Sequence, residues 1–93
     1  MLTQDTRFIQ NTQVIFHKEG NCGYLYDPDS GNLKHINAIG TSLYELCDGH
    51  HPMGAMIARI TDEYRDVPLE QIHGDVDRFL TELLGMDFVR RLP

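Results

Sequence analysis

Five histidines (His17, His35, His50, His51 and His73) and 14 Asp and Glu residues give this chain the raw material for a metal site or for acid–base catalysis. Their spacing argues against both. No two histidines stand four apart, the interval that sets two imidazoles on one helical face over a metal ion. His50 and His51 are adjacent, and neighbouring side chains on a chain usually diverge. Cys22 and Cys47 match no metal or redox spacing. They read as reduced thiols that act as small, partly buried hydrophobes. Ser30, Ser42 and Cys47 have no recognisable base partner, and there is no glycine-rich phosphate loop. The expectation is a protein with no catalytic group, no metal and no cofactor. Met53, Met56 and Met86 resemble an adaptable binding surface, but their helical spacing fits core packing better. Tyr24, Tyr26, Tyr44 and Tyr64 fit packing with the hydroxyl at the surface.

Composition narrows the class of partner. The chain is 41% hydrophobic and 24% charged, as in an ordinary globular protein. No apolar run approaches the ~18 residues that a membrane span needs. The opening Met1-Leu2-Thr3-Gln4-Asp5 lacks the basic-then-apolar order of a signal peptide, so a cytoplasmic protein is expected. The formal net charge is −6. Between Leu69 and Leu84, Glu70, Asp75, Asp77 and Glu82 face a single Arg78. A helix with that balance repels a phosphate backbone, which argues against nucleic acid. It suits solubility or a basic partner.

The elements that must position any site follow from the hydrophobic pattern. Residues 1–12 read as an irregular polar segment ahead of one domain, 13–93. Gln13 to Lys18 is rich in strand formers, and Glu19-Gly20-Asn21 is a turn. Cys22 to Tyr26 makes a second strand. Asp27-Pro28-Asp29-Ser30-Gly31-Asn32 is a strong turn, because Pro fixes φ and Gly supplies positive φ. Leu33-Lys34-His35-Ile36 alternates as a half-buried third strand. Asn37 then reads as an N-cap, with Ile39, Leu43, Leu46 and Cys47 on one helical face. Asp48-Gly49 ends that helix, Gly being the left-handed cap. Gly40 in its first turn costs roughly 0.5–1 kcal/mol against Ala, which a close approach by another backbone would explain. His50-His51-Pro52 opens a second helix with Met53, Met56, Ile57, Ile60 and Tyr64 as its stripe. Residues 65–68 break it. A third helix runs from Leu69 to Leu84 on Ile72, Val76, Phe79, Leu80 and Leu83, and Gly85 closes it. Met86 to Val89 reads as a short extended tail. The order, a three-stranded antiparallel sheet followed by three helices, predicts an α+β fold like a winged helix-turn-helix.

Three pieces of this pattern resemble the PqqD family, the peptide-recognition proteins of ribosomal-peptide modification pathways. They are Tyr24-Leu25-Tyr26-Asp27-Pro28 before a Gly turn; His35-Ile36-Asn37 leading through Gly40 to Leu46-Cys47-Asp48-Gly49; and Asp75-Val76 with Phe79-Leu80 and Leu83. The resemblance spans roughly residues 13–89. Two departures, Ile36 where the family usually has Leu and a longer turn at 27–32, leave the fold unaffected and bear on which peptide is bound. The resemblance implies a non-catalytic binder of a precursor's leader peptide. The peptide adds as a strand to the third strand and packs by the last helix, for a partner that is a radical S-adenosylmethionine enzyme. Carried onto this chain, the edge is Leu33, Lys34, His35 and Ile36, and the groove wall is Asp75, Arg78, Phe79 and Glu82.

Main-chain pairing cannot carry such binding alone. Four hydrogen bonds at roughly 0.5–1.5 kcal/mol each give about 2–6 kcal/mol, and micromolar affinity needs about 8 kcal/mol. Apolar side chains must therefore enter pockets, with Leu33 and Ile36 as the expected contacts. Asp75 and Glu82 are expected to steer a basic leader. Two other readings share these features: a structural docking module of a larger complex, and a winged-helix DNA-binding protein, which the acidic third helix disfavours. An open edge and the Pro-Gly turn also make a strand-exchanged homodimer conceivable.

Overall fold

A computed structural model describes residues 2–93. Its first sheet is the expected one. Strands β1 (Arg7–Gln10), β2 (Ile15–Glu19), β3 (Cys22–Tyr26) and β4 (Leu33–Ile36) come first in the chain, and β2-β3-β4 form an antiparallel sheet in that order. Gly20 closes the β2–β3 hairpin at φ 61°. The β3–β4 turn is built on Asp27, whose carboxylate accepts from the Asp29 amide and the Ser30 hydroxyl, both at 3.0 Å. Gly31 completes it at φ 80°. Such side-chain-to-backbone bonds mimic a backbone turn. The register sets Tyr24 opposite both His17 and His35, and Tyr26 opposite both Ile15 and Leu33. These six residues share the outward face, and Phe16, Leu25, Lys34 and Ile36 share the inward one.

The N-terminal segment departs from expectation. Residues 7–10, expected to be irregular, form β1, the central strand of a second antiparallel sheet ordered β5-β1-β6. Its neighbours are β5 (Asp48–Pro52) and β6 (Val89–Arg91). The residues expected to open the second helix, His50 and His51, therefore lie in a strand. Gly49 has the expected positive φ, 86°, but sits within β5 rather than capping a helix. Pro52 ends the strand and serves as N-cap of the next helix with ψ 160°. Local sequence misleads here because both short strands gain their hydrogen bonds only from distant partners. Phe8, on β1, is fully buried in the core.

Helices α1 (Ala38–Glu45), α2 (Met53–Glu63) and α3 (Leu69–Gly85) follow the expected periodicity. Asn37 caps α1, accepting from the Gly40 amide at 2.8 Å. The left-handed residue after α3 is Asp87, φ 57°, and not Gly85. Asn11 holds that corner, donating to the Asp87 carbonyl at 2.8 Å. One cluster of buried side chains joins both sheets to all three helices, with Phe8, Leu25, Tyr44, Met56, Val76, Leu80 and Phe88 among its members. Met53 and Met56 are core, as their spacing predicts. Tyr44 differs from expectation: its ring is fully enclosed, meets Phe16 edge-on at 5.0 Å, and burial pushes the phenol up to about 12. No helix among the described residues is long and apolar enough to cross a membrane.

Candidate functional site

Strand β4 pairs with β3 on one side, and among the described residues no strand pairs with its other side. An edge of this kind presents free N–H and C=O groups to an extended chain. Strand geometry divides its four side chains. Leu33 is 52% exposed and, with His35, points outward, away from the helices. Lys34 and Ile36 point inward. Ile36 is only 5% exposed and belongs to the core, so it contributes backbone to the edge and no contact surface. The expected pair of apolar contacts, Leu33 and Ile36, is thus split between the outer face and the interior.

A cleft of about 320 Å³ opens beside the end of β4, between α1 and α3, lined in part by Asn37, Ile39, Gly40 and Leu43. The other wall is Asp75, Arg78, Phe79 and Glu82, the four α3 residues that the family resemblance singles out. Helical spacing explains their convergence, since positions three and four apart share a face. Phe79 can lie against α1 because residue 40 is glycine: a Cβ there would stand 3.1 Å from the ring. The close approach that Gly40 allows is by a side chain and not by a backbone. Of the residues on the α1 wall, Ile39 and Leu43 were legible only as one face of a helix, which gives no sign that part of that face stays open.

The rim is electrostatically neutral. Lys34 Nζ donates to Glu82 Oε2 at 2.7 Å, bridging β4 to α3. Arg78 donates to Asp75 at 3.0 Å. The Lys34 hydrogen bond and charge hold the Glu82 carboxyl below the usual carboxylate range, with Arg78 adding to the effect. Lys34 Nζ also lies 6.0 Å from the Phe79 ring centroid, within cation–π range. Neither Asp75 nor Glu82 is therefore a bare charge awaiting a basic ligand.

Cys47 is fully buried, donates to the Leu43 carbonyl at 3.3 Å, and burial pushes its thiol up to about 12. Asp48 accepts from the His50 amide at 2.8 Å and pairs with His51 Nδ1 at 3.0 Å, which holds its carboxyl low. Among the described residues no three potential ligands converge on a metal position.

The model of the family described as coenzyme PQQ synthesis protein D (PqqD) matches residues 22–89. The chain belongs to the PqqD family. No curated protein matches it. Among solved structures it is similar to TbiB1 in complex with the TbiA(beta) leader peptide, with a TM-score of 0.77 at 17% identity, covering 88% of this chain and 94% of that one. At that identity the likeness establishes a shared fold. That likeness spans more of the chain than the family match does.

Proposed function

We propose that this PqqD-family chain is a non-catalytic binding protein that captures the leader of a ribosomally made precursor peptide. The leader adds as a strand to β4, and the complex presents the precursor to a modifying enzyme. A radical S-adenosylmethionine enzyme is the partner this reading favours, in the synthesis of coenzyme PQQ or a related peptide-derived product. The observation that carries the reading is the juxtaposition of a free strand edge with an open cleft. The fold shared with a protein solved in complex with a leader peptide supports it.

The cleft supplies what main-chain pairing lacks. Its size suits one or two side chains, since small-molecule sites start at roughly 300 Å³. Each fully buried apolar side chain adds roughly 1.5–3 kcal/mol. Two of these with four edge hydrogen bonds reach about 5–12 kcal/mol before ordering costs of about 2–5 kcal/mol. Micromolar binding lies within that range, and it needs both the edge and the cleft.

Selection from a displayed library of random linear peptides, followed by calorimetry and amide NMR with an enriched peptide, tests this. Shifts are expected on residues 33–36 and along the α1–α3 cleft. Ile39→Asp should weaken binding by about tenfold or more, whereas Ile9→Asp on the second sheet should leave it unchanged. Shifts centred on β5-β1-β6, or indifference to Ile39→Asp, would rule out this site.

A further inference from the structure

The ion pair across the groove bears on what kind of peptide the site accepts. We propose that Lys34 and Glu82 together are the specificity element of the groove, admitting an uncharged side chain at the peptide position facing Lys34 and rejecting a charged one of either sign. This rests on the strand-addition reading above.

Geometry places the pair in the peptide's path. Lys34 faces inward from the edge strand, with Leu33 and His35 pointing the other way. A residue directly opposite it on an added strand shares its face, with Cβ atoms about 4.5–5.5 Å apart. That side chain meets the Lys34 stem and, just beyond it, Glu82 and the Phe79 ring. The Lys34 side chain already retains only 23% of its exposure, and that of Glu82 47%. A peptide laid over them removes most of the remaining water.

Charge then decides what fits. Glu82 is matched by Lys34, and Asp75 by Arg78, so the rim holds two cations and two anions, each with a partner. A peptide cation entering beside Lys34 must share Glu82 with it and leave one positive charge over. A peptide anion must share Lys34 and leave one negative charge over. Either surplus is stranded where water has been displaced, and a buried charge without a partner is strongly disfavoured. A neutral side chain leaves the pair intact and packs on the Lys34 stem and the ring edge. Juxtaposed like charges and unpaired groups are a recognised means of excluding wrong partners.

The test uses one library-enriched peptide, with the position facing residue 34 located by intermolecular NOEs and then made Ala, Lys or Glu. Wild-type protein should bind the Ala peptide about tenfold more tightly than the Lys or Glu peptide. Lys34→Met frees Glu82 and should shift preference to the Lys peptide. Glu82→Gln frees Lys34 and should shift it to the Glu peptide. The exchanged double variant Lys34→Glu/Glu82→Lys restores a neutral pair and should regain the wild-type order. A merely structural tie would change affinity for all three peptides alike, and that result would overturn the proposal. So would a wild-type preference for a charged residue at that position. Failure of the wild type to enrich any peptide would instead overturn the peptide-binding reading itself.

Discussion

The two thiols separate what a residue type offers from what its surroundings permit. Cys22 is exposed at the start of β3, whereas Cys47 is enclosed with its thiol committed to a carbonyl. Burial penalises the thiolate, with Asp48 nearby adding to the effect, and with the thiol pushed up to about 12 almost no thiolate exists near neutral pH. Native protein treated with a thiol-reactive disulfide at pH 8 should therefore lose one thiol rapidly. The second should react only as fast as the core opens, and simultaneous loss of both would contradict this environment. The spacing of Cys22 and Cys47 matches no metal or redox motif. Burial of Cys47 could be guessed from its helical face, but the enclosure of Tyr44 could not, because a tyrosine's pattern does not say whether its hydroxyl reaches water.

At the scale of elements, legibility followed the distance over which hydrogen bonds form. The β2–β3 and β3–β4 hairpins carry their own turn chemistry in Gly20 and in Asp27 to Gly31, and α1 carries its own cap in Asn37. In the second sheet, β1 and β5 have no local signature. Arg7 pairs with Pro52 and Phe8 with Arg91, so four polar-flanked residues become a central strand only once both ends of the chain meet. The expected irregular N-terminus is in fact part of the core. Phe8→Ala should cost about 3–5 kcal/mol in urea denaturation. Ile9→Ala, one residue on and 41% exposed, should cost under about 1 kcal/mol. Equal small losses would mean that β1 is dispensable.

Across the whole molecule the net charge of −6 and the neutral groove rim act at different ranges. The overall field reaches out by about a Debye length, roughly 10 Å at 0.1 M salt, and attracts a basic peptide before contact. The paired rim contributes little to that field. Added salt should therefore slow association of a cationic library peptide and leave its dissociation rate nearly unchanged, as interferometry can read out. A strongly salt-dependent dissociation rate would point instead to bare carboxylates in the groove.

Period, turn chemistry and capping determined from sequence alone the β2-β3-β4 meander, the alternation of its third strand and the three helices that follow it. Each depends on residues a few positions apart, whose relation the backbone geometry already sets. Tertiary structure decided that Ile36 is core while Leu33 faces outward, that Gly40 makes room for Phe79, and that Lys34 reaches Glu82 across the groove. Those relations join residues far apart in the chain. They exist only when β4, α1 and α3 pack together, and no local pattern encodes which long-range partner will stand opposite.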